Sequence, residues 1–404
     1  MSLVKYIVKR IIVMLPVLFG ALTIGFFLSR MMPGDPVFWY LYATGNPHPQ
    51  PAQYASMVRQ LGLDQPVIIQ YFRYLGELFT GNWGISISLA QGEPVWDFIM
   101  QRLPRTIDIT ILSMIIASII GIKSGVISAK KRNKTGDTFI RFMALIGVSI
   151  PVYFLGMILQ YYVSYELSNL TPIMGSMLLS GGIIAIVICI IFMIFGKLID
   201  KKFLRLTGIF LLIIGIFLIY ASLIALDIIL HLPSEGFKNM AYTDPAYVTG
   251  FRAIDAFISG EWYMITDYFN HLILPVLCLS FITIASITRQ TRSSMLEVLE
   301  QDYIRTARAK GCKEKDVINS HALKNSLIPT VTVIGLNFAS LLGGAVLTES
   351  TFNLDGIGGL LIDCVRNVDY WVLSALIFTI TLMFVIVVLI TDLIYAFLDP
   401  RIRY

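Results

Sequence analysis

The sequence predicts an all-α protein, a polytopic bundle of membrane-spanning helices. Hydrophobic residues make up 56 % of the 404 residues and charged residues 14 %, and the mean hydropathy is +0.75. An ordinary soluble domain carries about 25 % charged residues. The chain also contains several apolar runs of about 20 residues, the length that a helix needs to cross a bilayer. Together these observations place the chain in a membrane.

Eight apolar runs are predicted to span the membrane. The first is expected to remain as an anchor, because it is longer than a secretory signal and lacks a small-residue cleavage pattern. In chain order the runs cover about Ile7–Ser29, Ile107–Ala129, Phe139–Tyr162, Met177–Gly196, Leu206–Leu230, Tyr268–Thr288, Ser326–Leu347 and Trp371–Phe397.

The predicted spans divide the chain into membrane-spanning, extracytoplasmic and cytoplasmic parts. These are an N-terminal anchor span (1–30), an extracytoplasmic loop (31–105), spans two and three (106–170), a further pair of spans (171–232), a second extracytoplasmic loop (233–267) and a C-terminal part (268–404) with a cytoplasmic loop at 289–325.

The basic residues orient the bundle. Lys5, Lys9 and Arg10 precede the first span, and most of the 31 Lys and Arg residues fall on that same side when the spans alternate. Because Lys and Arg are enriched in cytoplasmic loops, both termini are predicted to be cytoplasmic. The aromatic residues of the loop 31–105 suit either the membrane–water interface or the docking of a partner.

Several classes of function are disfavoured. The four cysteines and four histidines show no spacing typical of a disulfide or metal framework. The basic residues flank apolar runs and do not form one face for nucleic acid. The phosphate-binding pattern G-x-x-x-x-G-K-S/T does not occur, and no span holds paired acids or a nucleophile beside a base. The chain is therefore not expected to be an enzyme, to hold a metal or cofactor, or to bind nucleic acid.

The cytoplasmic loop contains an amphipathic basic helix. Arg305 and Arg308 share one face of it, and a second face is predicted to carry Leu296, Leu299, Tyr303, Ala307 and Gly311. Gly311 can take the left-handed conformation that closes a helix, and the next helix opens with Glu314 and Asp316. Such a helix can dock on a partner protein or lie on anionic lipid, and its residue pattern alone does not distinguish the two.

Several motifs resemble a known family. They are DYIRTARAKG, HALKNSLIPTVTVIGL, LLGGAVLTESTF and DLIYAFLDPRIRY in the C-terminal half, and PGDP, LGLDQPVIIQYFRYL, GNWGISI and RLPRTI in the N-terminal half. Over about residues 1–165 and 265–404 the chain resembles the permease subunit of peptide-type ABC importers, the dipeptide, oligopeptide and nickel permease family. The resemblance is to the member with a large outer loop after the first span.

The resemblance implies a six-span permease core, to which residues 171–232 add an inserted pair of spans, about eight in total. It implies a second homologous permease, two ATPase subunits that bind ATP and Mg, and an extracytoplasmic solute-binding protein. The general importer pattern has an acidic residue where this chain has Arg305 and a proline where it has Lys324. The residues implied to couple to the ATPase are Arg305, Thr306, Ala307, Arg308, Ala309, Lys310, Gly311, His321 and Asn325.

A substrate pathway is predicted in the seventh span, at Asn337, Ser340, Gly343 and Gly344. Small and polar residues also join membrane helices, so the sequence leaves packing and pathway roles open. The family resemblance favours peptide uptake across the cytoplasmic membrane of a prokaryote, with nickel complexes or oligosaccharides as alternatives. A secondary transporter is the alternative class, but the spans show neither a midplane ionisable relay nor paired broken helices.

Overall fold

The computed structural model describes residues 3–90, 92–166, 183, 233 and 235–398. Within these residues the fold is helical, and the β-type pairing consists of one bridge between Ile85 and Pro94. The all-α prediction is confirmed. The helices are α1 (Leu3–Met31), α2 (Pro36–Ala43), α3 (Pro51–Gln60), α4 (Val67–Thr80), α5 (Val95–Met100), α6 (Leu103–Lys130), α7 (Thr135–Ser149), α8 (Val152–Ile158), α9 (Arg252–Ile258), α10 (Trp262–Leu299), α11 (Asp302–Ala309), α12 (Glu314–Asp316), α13 (Leu323–Thr351), α14 (Ile357–Arg366) and α15 (Tyr370–Leu398).

Two helices continue as π-helix: Leu159–Glu166 extends α8, and Val317–Ala322 joins α12 to α13. Five stretches of the described chain are long and apolar enough to cross a membrane. They are Ile7–Met31, Val95–Lys130, Trp262–Leu299, Glu314–Gly343 and Tyr370–Tyr395. The polytopic prediction is therefore confirmed. The predicted spans Met177–Gly196 and Leu206–Leu230 lie outside the described residues.

The predicted third span, Phe139–Tyr162, is not one straight helix. Helix α7 and the stretch Val152–Ser164 meet at an angle of 100°, and they make a sixth span only if the bent pair is taken as one. Pro151 stands at the bend, and Ile150 before it is extended, with φ −85° and ψ 121°. A proline disfavours helical geometry in the preceding residue and lacks an N–H for the helical ladder.

Among the described residues, helices α6 and α10 make the most extensive helix–helix contact. A side chain at Gly125 would meet the Cβ atom of Thr291 at 2.5 Å, and one at Gly121 would meet Ile287 at 2.8 Å. Ser124 and Thr288 exchange a hydrogen bond of 2.6 Å across the same interface. Small residues let membrane helices approach this closely. Helix α10 is continuous through Pro275 and extends beyond the predicted span Tyr268–Thr288 at both ends.

The segment between α1 and α6, residues 32–102, is here named the cap, and the end of the bundle that carries it is the cap end. Asp35 caps α2 by accepting from the Val37 amide, and it accepts the Tyr54 hydroxyl at 2.7 Å. Asp369, which precedes α15, accepts the Ser86 hydroxyl at 2.6 Å. Trp83 is buried in the apolar core beside Phe378, so it belongs neither to an interfacial belt nor to an exposed docking surface.

Helix α4 of the cap lies alongside α1 and does not stand above the bundle. The ring of Phe26 packs against Tyr71 and Tyr74, with centroids 5.4 and 5.3 Å apart, and Phe19 packs against Phe79 at 5.8 Å. The two helices therefore run antiparallel. Phe19 lies about 18 Å along the helix axis from the cap end of α1, so α4 lies beside the half of that span nearest the cap end.

Candidate functional site

The basic loop, Gln301–Asn325, begins with a break in the helix. Helix α10 ends at Leu299, Gln301 is extended with ψ 150°, and α11 starts again at Asp302. The predicted continuous face from Leu296 to Gly311 is therefore wrong. The break turns Ile304 into an apolar cluster with Met295, Val317 and Ala322, and a continuous helix would carry Ile304 away from that cluster.

Ala307 also belongs to this cluster, since only 9 % of its surface is exposed. Its methyl group completes the packing beneath α11, so Ala307 does not contribute to the exposed surface of that helix. The exposed surface of α11 and its closing turn is formed by Asp302, Tyr303, Arg305, Thr306, Arg308, Ala309, Lys310 and Gly311. Its charges are mostly basic, and Tyr303, 43 % exposed, is its large apolar side chain.

Gly311 closes α11 in the left-handed conformation, as the sequence predicts, with φ +83°. Its amide donates to the Arg308 carbonyl, and the Cys312 amide donates to the Ala307 carbonyl at 3.2 Å. A side chain at this position would meet nothing within 4 Å. Glycine is therefore favoured here by its backbone conformation and not by a close neighbour.

The arginines of the loop have different partners. Arg308 makes a bidentate pair with Glu314, through Nε to Oε2 at 3.1 Å and Nη2 to Oε1 at 2.9 Å. This pair ties α11 to α12 across the Gly311 turn. Arg305 contacts Asp302 at 3.2 Å, and its side chain is 72 % exposed. Arg305 is thus the arginine of α11 that is more available to a partner.

A second tie joins the loop to α13. Asn325 donates from Nδ2 to the Tyr303 hydroxyl at 2.7 Å. His321 is exposed in the π-helical segment one turn before Asn325, and its carbonyl lies 3.5 Å from the Asn325 amide nitrogen. Of the predicted coupling residues, the structure therefore places the α11 group and Asn325 in one braced unit, with His321 at its edge.

An ion pair that the sequence analysis missed braces the helices leading into the loop. Arg292 of α10 donates from Nε and Nη2 to the two carboxylate oxygens of Asp137, at 2.7 and 2.9 Å. Asp137 is fully buried at the start of α7 and also accepts the Ser128 hydroxyl of α6 and the Asn133 amide. The two charged residues are separated by 155 positions, so only the folded chain brings them together.

The predicted pathway residues do not converge on one site. Asn337 donates to the Ser286 hydroxyl of α10 at 3.3 Å, which is a helix-packing contact. Ser340 and Gly343 lie on an exposed face of α13, together with Leu336 and Leu347, which are 53 % and 50 % exposed. Gly344 lies in the same helix. A pathway role for these residues stays a prediction.

Glu349, near the cap end of α13, is a second buried carboxylate that the sequence analysis missed. It accepts the Thr106 hydroxyl of α6 at 2.6 Å and the amides of Gly358 and Gly359 at 2.7 and 3.0 Å. Burial raises the pKa of Glu349 to about 7, although these donors act in the opposite direction. The glycines at the start of α14 permit this contact, since a side chain at Gly358 would meet the Val346 backbone at 2.6 Å.

A cleft of about 1280 Å³ opens beside Glu349 at the cap end. Charged and aromatic side chains line it, and many of the charges are paired with one another. Arg105 and Arg102 contact Asp355, and Arg252 contacts Asp244. The lining includes Arg105, Phe237, Arg252, Tyr268, Asp355 and Arg366. The arrangement suits a polar solute better than an apolar one.

These features define a class: a polytopic membrane protein with a braced basic loop at one end of its bundle and a charged cleft at the other. Comparison with known protein families agrees with this class. Residues 201–404 match the family model of the binding-protein-dependent transport system inner membrane component, and residues 3–110 match the N-terminal model of the same group.

Relatives extend the match over the whole chain. The chain is 34 % identical over 403 residues to the dipeptide transport system permease protein of Alkalihalophilus pseudofirmus, covering all of both chains. It is 34 % identical to the protein of that name in Escherichia coli K12, covering 100 % of this chain and 99 % of the relative. It is 31 % identical to the oligopeptide transport system permease protein of Bacillus subtilis, covering 99 % of each.

The chain therefore belongs to the family of binding-protein-dependent transport system inner membrane components. It is a permease subunit of an ABC importer. Its membrane-length helices agree with a multi-pass location in the membrane.

Proposed function

We propose that this chain forms one half of a path for peptide uptake across the cytoplasmic membrane of a prokaryote. A second homologous permease supplies the other half, two ATPase subunits drive the cycle with ATP and Mg, and an extracytoplasmic solute-binding protein delivers the peptide. Relatives named for dipeptide and oligopeptide transport support the choice of peptide over nickel complexes or oligosaccharides. The charged cleft at the cap end is compatible with that choice.

The observation that carries the proposal is that side-chain contacts fix the basic loop to the helices around it. Helix α11 is fixed by the Arg308–Glu314 pair, by the Tyr303–Asn325 hydrogen bond and by the buried Ile304. The Asp137–Arg292 pair fixes the end of α10 to α6 and α7. A displacement of α11 is therefore transmitted to three membrane helices and is not absorbed by a flexible loop. The exposed Arg305 and Lys310 supply the contacts to an acidic or carbonyl-rich surface of an ATPase subunit.

The proposed orientation puts the basic loop and both termini in the cytoplasm and the cap outside. Cys312 is an exposed thiol within the loop, whereas Cys278 and Cys364 are buried. A membrane-impermeant maleimide is expected to label Cys312 in inside-out vesicles and not in right-side-out vesicles, with Cys312→Ser as the control. Labelling of Cys312 in right-side-out vesicles would reverse the orientation.

The function itself is tested with the complete importer. The tagged chain is purified from its native membrane, its partners are identified by mass spectrometry, and the assembly is reconstituted for peptide-stimulated ATP hydrolysis. Arg305→Glu is expected to reduce the stimulation at least about tenfold, since it reverses an exposed charge at the proposed interface. Arg59→Glu, at an exposed arginine of the cap, is the matched control and retains it. Purification without any ATPase subunit, even after cross-linking, would contradict the proposal.

A further inference from the structure

A pocket of about 250 Å³ lies where α4, the cap ends of α1 and α15 and the cap segment after Asn82 meet. Aromatic rings form much of its wall, and its charged side chains are those of two arginines and one glutamate. Uncharged polar side chains also line it, those of Gln60, Gln70, Asn82, Tyr370 and Ser374. The principal lining residues are Phe26, Arg30, Arg73, Tyr74, Glu77 and Trp83. At the volume of liquid water the pocket would hold roughly eight water molecules, which is enough for a phosphate ester with a short headgroup.

Two buried polar atoms in this pocket have no hydrogen-bond partner among the described residues: the Tyr74 hydroxyl and Nε of Arg30. The side chain of Tyr74 is buried, with a relative exposure of 8 %. Buried polar groups in folded proteins nearly always have a partner. Both atoms lie on side chains that line the pocket, so a molecule inside it is placed to satisfy them.

The unsatisfied atoms and the charges select an anion. An arginine only donates hydrogen bonds, and a tyrosine hydroxyl can donate one, so the missing partner is an acceptor. Arg30 and Arg73 together outnumber Glu77 by one charge. Arg30 is held over the rings of Tyr370 and Phe26, with its Cζ atom 4.7 and 5.1 Å from their centroids. A guanidinium fixed in this way is suited to a phosphate group.

The position of the pocket selects the source of that anion. Arg30 is next to the last residue of α1, and Tyr370 is the first residue of α15, so the pocket lies at the level where these spans leave the bilayer. At the same level the end of α1 exposes Phe27 and Met31, by 48 and 78 %. At the edge of the bilayer such apolar side chains are covered by lipid, whereas water would leave them unfavourably exposed.

We propose that this pocket binds the phosphate-bearing headgroup of a phospholipid from the leaflet at the cap end, with the acyl chains extending into the bilayer beside α1. The bound lipid fastens the cap to α1 and α15. This role is separate from peptide transport, so it does not depend on the identity of the transported solute.

The test is native mass spectrometry of the delipidated full-length chain with phosphatidylglycerol and with a diacylglycerol of the same acyl chains. The wild-type chain is expected to retain phosphatidylglycerol at least about tenfold more tightly than diacylglycerol, and Arg30→Gln to abolish the preference. Tyr74→Phe is expected to weaken it about threefold or more. Arg59→Gln, on an exposed cap arginine outside the pocket, is the matched control and keeps the preference.

Tyr74→Phe also separates lipid binding from folding. In the lipid-free chain the hydroxyl has no partner among the described residues, so this substitution is expected to leave the unfolding temperature unchanged or higher. Equal retention of both lipids by the wild type, or an unchanged preference in both pocket variants, would overturn the proposal. Displacement of the lipid by inorganic phosphate or by a dipeptide would assign the pocket to a free anion and also overturn it.

Discussion

At the scale of single residues, Glu349 joins three helices through one side chain. Its carboxylate on α13 accepts from Thr106 on α6 and from the amides at the start of α14. Glu349 also lines the cleft, so its protonation state affects the hydrogen bonds that hold the cleft wall together. The same side chain therefore links the stability of the cap end to pH.

The stability of the protein is expected to fall as the pH rises from about 5 to 8. The pKa of Glu349 is raised to about 7 from 4.5 by burial. The folded state therefore binds this proton more tightly than the unfolded state, and the contribution is complete below about pH 4.5 and lost as the pH rises through 7. Its size is at most roughly 3 kcal/mol. Unfolding temperatures measured across this range check the trend.

Glu349→Gln is expected to remove that share of the pH dependence, because its amide can replace the neutral carboxyl without titrating. The matched control is Asp363→Asn, which alters an exposed carboxylate lining the same cleft. An identical pH profile in Glu349→Gln and the wild type would show that another group is responsible.

Gly311 allows a test that separates coupling from stability. Gly311→Ala places a side chain in the left-handed region at φ +83° with no neighbour within 4 Å, so it introduces strain without a clash. Gly81→Ala is a matched control, with φ +78° and equally open space at the end of α4. Both are expected to lower the free energy of unfolding by about 1–2 kcal/mol. Only Gly311→Ala is expected to reduce peptide-stimulated ATP hydrolysis, and an equal loss in both variants would contradict the role of the loop.

At the scale of helices, the Asp137–Arg292 pair joins α6, α7 and α10 into one support for the basic loop. Asp137→Asn leaves Arg292 without its charged partner inside the protein, and removal of one member of a buried pair costs about 3–5 kcal/mol. Arg132→Gln breaks an exposed pair with Glu300 and is expected to cost less than about 1 kcal/mol. Thermal unfolding of the two variants compares these losses in the free energy of unfolding. Similar losses would show that the buried pair contributes no more to stability than the exposed pair.

The helices also show what the sequence could predict. Long apolar runs identify α1, α6, α10, α13 and α15, because composition alone decides whether a segment suits the bilayer. The bend at Pro151 follows from proline chemistry. The break at Gln301 was missed because Tyr303 and Ala307 continue the three- and four-residue spacing of α10, while Ile304 in fact turns inward. The burial of Asp137 and Glu349 depends on partners 155 and 243 positions away, which local patterns do not encode.

At the scale of the whole molecule, exposed apolar area is expected on a protein that lies in lipid, but the exposed face of α13 is different in kind. Ser340 and Gly343 interrupt Leu336 and Leu347 along it. The face carries small and polar residues where a lipid-facing helix such as α1 exposes Ile12, Val13 and Phe19. Small and polar residues favour contact with another helix or with a solute.

Ser340→Trp is therefore expected to leave the single chain folded and inserted but to reduce peptide uptake by the assembled importer about tenfold or more. Ser340 is exposed, so the ring meets no described residue within the chain's own core, whereas a second permease or a passing peptide would collide with it. Val13→Trp on α1, at a residue 57 % exposed, is the matched control and keeps uptake. Normal uptake by Ser340→Trp, measured with a radiolabelled dipeptide in proteoliposomes, would place the pathway on another face of the molecule.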